Sequence, residues 1–189
     1  LIAEIGKVAG FEVEVKNQAF DGLLPALQSG KIDLIIAGMT VTDERKKAVD
    51  FSESYYTASQ VIIVPADNAA IKSFDDLKGK NVGVQIGTTG DTVISEIKEI
   101  TNTKYNNGSE AVLALTTQKV DAVVIDNEPA KNFVAKNTGL KVVDTGAVKE
   151  DYAIAIAKGN KELLDKVNTG LKTLKENGKY DELIAKWFK

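Results

Sequence analysis

The sequence predicts an α/β protein of two lobes, each with a mainly parallel sheet flanked by helices. Strand patterns alternate with helical patterns along the 189 residues, which is typical of parallel strand–helix units. Two strand–helix segments, 34–48 and 82–97, are similar and indicate one per lobe. We expect lobe 2 (residues 65–148) to be inserted into lobe 1 (1–64 and 149–189). Strands 60–64 and 152–157 are the candidate crossings.

The first half of the chain carries clear helix and strand signals. Asp21 and Thr42 have side chains that commonly cap helices, and Pro65 ends a strand because proline lacks a backbone N–H. The patterns predict, in order, a helix ending at Gly10, a strand at 11–16 with one solvent-facing side, a helix at 20–27, a buried strand at 33–37, a short helix after Thr42, an irregular aromatic stretch at 50–56 and a strand at 60–64.

The second half continues the alternation. It predicts a strand at 81–85, a helix at 92–97, a weak strand near 104–105, a helix from Ser109, a strand at 120–125, a helix at 127–136, strands at 140–143 and 151–157, and helices at about 161–176 and 180–188. The last helix is amphipathic. We expect its apolar residues to anchor it in the core: Leu183, Ile184, Trp187 and Phe188.

Composition excludes several classes of function. The chain has no cysteine and no histidine, which removes thiol nucleophiles, disulfides, Ser-His-Asp triads and the usual zinc sites. The net charge of −3 with interspersed signs offers no basic patch for nucleic acid. No apolar run approaches the length of a membrane span. We expect no cofactor and no metal.

Residues 37–45 form the most informative loop. Arg45 is the only arginine in the chain, and it follows a strand-to-helix loop of small and hydroxyl residues. The planar guanidinium can grip a carboxylate with two parallel hydrogen bonds, which lysine cannot do. The loop is therefore a candidate site for a small carboxylate ligand. The alternative is a surface ion pair with Asp43, Glu44 or Asp50.

Two further loops follow strands of the predicted lobe 2. Residues 85–90 offer Gln85, two threonine hydroxyls and the amides of a helix N-terminus, although an ordinary capped helix start has the same pattern. Asp126 ends a strand and could bind a cation, or could instead cap the helix at 127–136. Ligands of such sheets lie beyond the carboxyl ends of the strands. An anion grip together with a carboxylate suits a zwitterion, which points to an α-amino acid.

Residues 37–52, AGMTVTDERKKAVDFS, closely resemble the signature of polar amino-acid-binding proteins of ABC importers, which are bacterial extracellular solute-binding proteins of family 3. Residues 20–33, 83–90 and 176–188 are similar to the same family, so the resemblance covers essentially the whole chain. It implies a type II periplasmic-binding-protein fold with hinges near Val64 and Val148–Tyr152. Binding of a ligand would shift an open–closed equilibrium toward the closed form.

The resemblance also implies roles for individual residues. Arg45, Thr40 and the Gly38 amide would bind the ligand α-carboxylate, with help from Thr89. Asp126 and the Ala37 carbonyl would bind the α-ammonium. Gln85 and Phe20 would contact the ligand side chain. The expected ligand-binding set is Phe20, Ala37, Gly38, Met39, Thr40, Arg45, Gln85, Thr89, Gly90 and Asp126.

The resulting expectation is an extracytoplasmic receptor that captures a polar L-amino acid, glutamine or a basic one, between two lobes. It would deliver the amino acid to ABC permease subunits, from the periplasm or from a lipid anchor on the outer face of the membrane. We expect a monomer with no nucleic-acid partner. The alternatives are an amino-acid-sensing domain and a dehydratase on the same fold, with Asp126 or Glu128 as acid–base groups.

Family members begin about one strand–helix unit before residue 1 of this chain. No N-cap residue or acidic first turn precedes the opening helix pattern, so we expect a preceding segment to be missing. That segment usually contributes to side-chain selectivity and a central strand of lobe 1. Its absence leaves the identity of the amino acid open and raises the possibility of segment swapping.

Overall fold

A computed structural model describes residues 1–147 and 149–188. The chain divides into two compact units. Unit 1 comprises Leu1–Gln18, Gly22–Thr57 and Asp151–Lys189, and unit 2 comprises Ala19–Asp21 and Ala58–Glu150. Val148, in a predicted hinge and at the predicted end of lobe 2, lies outside the described residues, as does Lys189.

Eight α-helices and seven strands are assigned in the described part of the chain. The helices are α1 (Ile2–Ala9), α2 (Leu23–Gln28), α3 (Asp43–Ala48), α4 (Thr89–Glu96), α5 (Gly108–Thr116), α6 (Asn127–Lys136), α7 (Lys161–Glu176) and α8 (Lys179–Trp187). The strands are β1 (Leu34–Ile35), β2 (Val49–Pro65), β3 (Asn81–Gln85), β4 (Thr101–Tyr105), β5 (Ala122–Asp126), β6 (Leu140–Val143) and β7 (Lys149–Ala157). Short 3₁₀ turns occur at Phe20–Gly22 and Asp75–Leu77.

Unit 1 packs helices around a short antiparallel pair, β1 with β7. Helices α1 and α7 approach closely, because Gly170 has no side chain where a Cβ would lie 2.8 Å from the Ile5 side chain. Both helices turn their apolar faces inward. The largest fully buried side chains of this unit are Ile5, Leu27, Ile35, Met39, Ile154, Ile156, Leu171 and Leu174.

Unit 2 is built on a mixed sheet. Strand β3 pairs in parallel with β4 and β5, while β2 pairs antiparallel with β5 and β6. Apolar residues of the central strands are buried in two clusters, as expected for strands covered by helices. The helix after β3 and the helix after β5 therefore both begin at the carboxyl ends of neighbouring parallel strands.

Two strands pass from one unit to the other. The passage in β2 falls at Thr57 and Ala58, and the passage in β7 falls at Glu150 and Asp151. The candidate crossings from the sequence, residues 60–64 and 152–157, belong to the same two strands, and both passages lie just before those ranges. The boundaries predicted for the functional lobes, 1–64 with 149–189 and 65–148, remain a prediction.

Several local predictions were wrong. Residues 11–16 alternate as expected but are not a strand, because none of the described strands pairs with them. Residues 50–56 are not irregular but belong to the long strand β2. Asp21 is not an N-cap, since it lies in a 3₁₀ turn and Gly22 takes the cap position of α2.

The C-terminal helix is also less buried than predicted. Trp187 is 67% exposed, with the Lys186 Nζ 5.2 Å from the centre of its ring. A cation over the face of an indole ring is attracted to it, so this contact is favourable for an exposed tryptophan. Phe188 contributes more to packing, with its ring 4.4 Å from that of Tyr56.

No helix among the described residues combines the length and the apolar character that crossing a membrane requires.

Candidate functional site

The loop of residues 37–41 lies between β1 and α3 and is shaped by Gly38. This residue has φ of +62°, and an added Cβ would lie 3.2 Å from the Tyr152 ring. The backbone N–H of Gly38 donates to the Tyr55 hydroxyl at 3.0 Å. Both the positive φ and the close ring favour glycine here. The chain thus makes a tight turn at Gly38.

Strand β7 fixes the rest of this loop. Thr40 forms an antiparallel bridge with Tyr152, and the Val41 N–H donates to the Asp151 carbonyl at 2.9 Å. The Met39 carbonyl accepts a hydrogen bond from the Ala153 N–H at 3.1 Å. The Met39 side chain is fully buried, so it anchors the loop in the core of unit 1. Ala37 is exposed at the start of the loop.

Arg45 lies in the first turn of α3. As the sequence predicted, the Thr42 side chain caps this helix, accepting from the Arg45 N–H at 3.1 Å. The Arg45 Nη1 donates to the Thr40 carbonyl at 2.7 Å, which folds the guanidinium back over the loop. The helix therefore directs its one arginine toward the turn formed by residues 38–40.

The sequence left open an ion pair between Arg45 and one of three nearby acids. In the structure each of these acids has a lysine partner. Asp43 pairs with Lys46 at 3.5 Å, Glu44 with Lys47 at 2.6 Å and Asp50 with Lys158 at 2.7 Å. These pairs account for the local acids as ordinary surface contacts.

In unit 2, the loop at 85–90 leads from β3 into α4. Thr88 caps α4, accepting from the Asp91 N–H at 3.3 Å. Gln85 ends β3, and its Nε2 donates to the Asn106 carbonyl at 3.5 Å. Thr89 and Gly90 open the helix, so the predicted helix of 92–97 begins three residues earlier than expected.

The buried carboxylate of Asp91 holds this loop in place through hydrogen bonds. Asp91 is 6% exposed, and its Oδ2 accepts from the Gly87 N–H at 3.1 Å. Its Oδ1 pairs with Lys104 at 2.9 Å. Burial acts to raise the pKa of the Asp91 carboxyl, but hydrogen bonds from Lys104, the Gly87 N–H, Asn102 and Ser95 outweigh it and hold the pKa below its usual value.

Asp126 occupies the N-cap position of α6, yet its side chain makes no capping hydrogen bond. Its Oδ1 instead accepts from the Gln60 Nε2 at 2.5 Å. The same nitrogen lies 3.0 Å from the Thr89 Oγ1 and 3.3 Å from the Glu150 Oε1. The Thr89 hydroxyl donates to the Glu150 Oε2 at 2.7 Å. We call Gln60, Thr89, Asp126 and Glu150 the Gln60 cluster.

The predicted site residues thus fall into two groups. Five of them form the unit 1 loop with its arginine: Ala37, Gly38, Met39, Thr40 and Arg45. Four lie in unit 2 at the ends of β3 and β5: Gln85, Thr89, Gly90 and Asp126. Phe20 begins the 3₁₀ turn that groups with unit 2.

Sequence reasoning missed Gln60 and Glu150. The sequence held one signal for Gln60, which is a polar residue at the start of the apolar run of residues 61–64. In the structure its side chain is only 3% exposed. Buried polar side chains on such strands are unusual and need hydrogen-bond partners. Glu150 adjoins the strand pattern of 151–157 without any comparable signal.

Glu128 is accounted for by local contacts. It is buried at the start of α6, and its Oε1 accepts from Lys131 at 2.7 Å and from the Asn127 side chain at 3.0 Å. Such pairing suits a helix-stabilising role. Within the described residues, no group of three or more His, Cys, Asp or Glu side chains could hold a metal ion.

The chain belongs to the bacterial extracellular solute-binding proteins, family 3, which match residues 1–189. It is 38% identical over 192 residues to a protein of Campylobacter jejuni named "Probable histidine-binding protein", covering 99% of this chain and 74% of the relative. It is also 38% identical over 194 residues to the "Arginine-binding extracellular protein ArtP" of Bacillus subtilis, covering 100% of this chain and 75% of the relative.

A solved structure described as "An ancestral arginine-binding protein bound to arginine" superposes with a TM-score of 0.96 at 47% identity, covering 100% of this chain and 85% of that one. These similarities confirm the predicted family and the α/β type II periplasmic-binding-protein fold. The family is described as extracellular, in agreement with the expected extracytoplasmic location. The relatives are named as binding proteins.

Proposed function

We propose that the protein is an extracytoplasmic receptor that captures a polar L-amino acid and delivers it to an ABC permease. The observation that carries the proposal is the guanidinium of Arg45, which folds over the 38–40 turn and donates to the Thr40 carbonyl at 2.7 Å. A guanidinium beside a tight backbone turn is suited to holding a carboxylate. The names of the relatives support an amino acid as the bound solute.

In this proposal each end of the amino acid has its own group of residues. Arg45, Thr40 and the Gly38 N–H bind the α-carboxylate, assisted by Thr89 and the start of α4 at Gly90. The Gly38 N–H already donates to the Tyr55 hydroxyl, so the ligand shares or replaces that acceptor.

Asp126 binds the α-ammonium, together with the Ala37 carbonyl. The absence of a capping hydrogen bond from Asp126 supports this role. Gln85 and Phe20 contact the ligand side chain, while Met39 holds its loop in place through its buried side chain.

The proposed partners are those suggested by membership of the solute-binding family. The protein delivers its ligand to permease subunits and reaches the membrane only through them or through a lipid anchor outside this chain. It acts as a monomer, binds no nucleic acid and catalyses no reaction. The pairing of Glu128 with Lys131 supports a binding role over acid–base chemistry at that residue.

A thermal-shift screen over the twenty amino acids tests the proposal. A ligand that binds only the folded protein raises the midpoint of unfolding by mass action. We expect glutamine or a basic amino acid to raise it. Agmatine, which is arginine without its α-carboxylate, should not. A screen in which no amino acid shifts the midpoint would refute the proposed function.

A further inference from the structure

The side chain of Gln60 contacts two of the residues that the proposed function assigns to the ligand. Its Nε2 lies 2.5 Å from the Asp126 Oδ1 and 3.0 Å from the Thr89 Oγ1. Asp126 is assigned to the α-ammonium of the amino acid, and Thr89 assists at its α-carboxylate. All three residues belong to unit 2. One amide group thus connects two side chains that are assigned to the two charged groups on the ligand α-carbon.

The sheet of unit 2 places Gln60 beside Asp126. Strands β2 and β5 are antiparallel, and Gln60 lies directly opposite Asp126 in their register. Side chains of directly opposed residues lie on the same face of a sheet and contact each other. Next to this pair, the Ser59 N–H donates to the Asn127 side chain at 3.1 Å. The pairing of the two strands therefore determines that this glutamine meets this carboxylate.

The hydrogen bonds of the Gln60 cluster have a consistent direction. An amide NH₂ group has two hydrogens, and the two shortest contacts of the Gln60 Nε2 are those to Asp126 and Thr89. Its contacts to the Glu150 carboxylate are longer, at 3.3 and 3.4 Å. The Thr89 hydroxyl gives its own hydrogen to the Glu150 Oε2 at 2.7 Å, so the Thr89 oxygen is the acceptor toward Gln60. Gln60 is thus a donor to both Asp126 and Thr89.

The Gln60 amide keeps this orientation although its oxygen gains nothing from it. Gln60 is 3% exposed, and among the described residues its buried Oε1 has no hydrogen-bond partner. That oxygen lies beside Gly90, where an added Cβ would be only 2.9 Å from it. An unpaired buried oxygen is unfavourable. Reversing the amide would turn the oxygen toward the Asp126 carboxylate, so the acceptors around the NH₂ group determine the orientation.

We propose that Gln60 is a positioning residue that holds the Asp126 carboxylate and the Thr89 hydroxyl where an α-amino acid requires them. The inference rests on the proposed function and adds a residue that acts through two members of the same site. A hydrogen bond from Gln60 restricts the carboxylate to one orientation before the ligand arrives. Such preorganisation increases affinity, because less ordering is required on binding.

The test compares an amino acid with the acid that lacks only its α-amino group. The pairs are arginine with δ-guanidinovaleric acid, lysine with ε-aminocaproic acid, histidine with imidazolepropionic acid and glutamine with glutaramic acid. The amino acid that gives the largest thermal shift is used with its own counterpart. In calorimetric titration the unaltered protein should bind the amino acid at least about tenfold more tightly, because only the amino acid has an ammonium group for Asp126.

Gln60→Met removes the NH₂ donor, keeps a side chain of similar length and eliminates the unpaired oxygen. It should weaken binding of the amino acid about tenfold, as expected for the loss of a hydrogen bond to a charged group. Binding of the counterpart should change less than about threefold. A purely structural role would change both affinities by the same factor. Gln60→Asn withdraws the amide by one methylene group and should give the same selective loss, so it replaces Gln60→Met if that variant does not fold.

Ile62→Val is the matched control for general effects on the strand. Ile62 lies two residues further along β2 and is fully buried, and the loss of one buried methyl group lowers stability. This variant should leave both affinities within about twofold of those of the unaltered protein. Thermal unfolding without ligand establishes that each variant is folded.

The outcomes separate the two proposals. If none of the four amino acids binds the unaltered protein, the proposed function and this inference both fail. If the amino acid binds but both Gln60 variants change the two affinities by the same factor, or leave them unchanged, only the role of Gln60 fails. A selective loss for the amino acid, with Ile62→Val unchanged, supports that role.

Discussion

The backbone N–H of Gly38 donates a hydrogen bond to the hydroxyl of Tyr55. Tyr55 lies on β2 and is buried, and its own carbonyl accepts a hydrogen bond from the Tyr180 hydroxyl of α8. The turn that we assign to the ligand carboxylate is thereby connected through one tyrosine to the C-terminal helix. The geometry of the loop depends on residues far from it in sequence.

Tyr55→Phe should destabilise the protein. The change removes the acceptor of the Gly38 N–H, and an unpaired amide of this kind costs about 1–2 kcal/mol. Urea denaturation without ligand measures the effect. Tyr105→Phe is the matched control, because its ring packs against the core of unit 2, and it should change stability by less than about 0.5 kcal/mol. Equal stability of Tyr55→Phe and the unaltered protein would contradict the role of this hydrogen bond.

Arg45→Lys should weaken amino-acid binding by about 2–4 kcal/mol, because lysine keeps the charge but loses the planar fork. Calorimetric titration with the amino acid found by thermal shift provides the measurement. Lys47→Arg makes the reverse exchange on an exposed part of the same helix and should leave affinity unchanged. Unchanged affinity in Arg45→Lys would exclude the carboxylate role.

Asp126→Asn should abolish detectable amino-acid binding while leaving the ligand-free protein folded. The asparagine oxygen can still accept from Gln60, but it offers no charge to an ammonium group. Thermal unfolding with and without ligand separates the two effects. Asn107→Ala serves as the reference, since Asn107 does cap α5, accepting from the Glu110 N–H at 3.0 Å, and its loss should cost about 1 kcal/mol. A comparable loss of stability in Asp126→Asn would instead favour a capping role.

The Asp91 carboxyl should make stability depend on acid pH. Because its pKa is lowered in the folded protein, it stabilises the fold above the unfolded pKa of about 3.9. This contribution is lost as pH falls from there through the folded pKa. Asp91→Asn should lower stability by about 2 kcal/mol at neutral pH and flatten the acid decline.

Denaturation curves measured from neutral pH down to about pH 2 test this dependence. Asp67→Asn changes an exposed carboxyl in a turn of unit 2 and should reproduce the acid decline of the unaltered protein. An equally steep decline in Asp91→Asn would show that another group is responsible.

Local signals in the sequence were sufficient for many elements. The cap at Thr42 and the helix at 127–136 were predicted because their determinants lie within a few residues of each other. The strand at 11–16 failed for the opposite reason. Alternation indicates that a segment is suited to a sheet, but it does not supply the partner strand.

The Gln60 cluster could not be predicted in the same way. Gln60 and Glu150 are 90 residues apart, and their contact depends on the pairing of β2 with β5 and on the path of β7. A single sequence carries no record of that pairing register. Asp126 was identified as a candidate for two roles, and the structure shows that its side chain makes no capping hydrogen bond.

The order of the segments also has a consequence for how the protein is made. Unit 1 combines the beginning of the chain with its end, and α1 packs against α7. Synthesis proceeds from the N-terminus, so the residues of unit 2 are complete before α7, the helix that packs against α1, has been made. Until the C-terminal helices follow, α1 lacks the helix against which it packs. Unit 2 should accordingly resist protease first, and truncation before α7 should leave unit 1 unprotected.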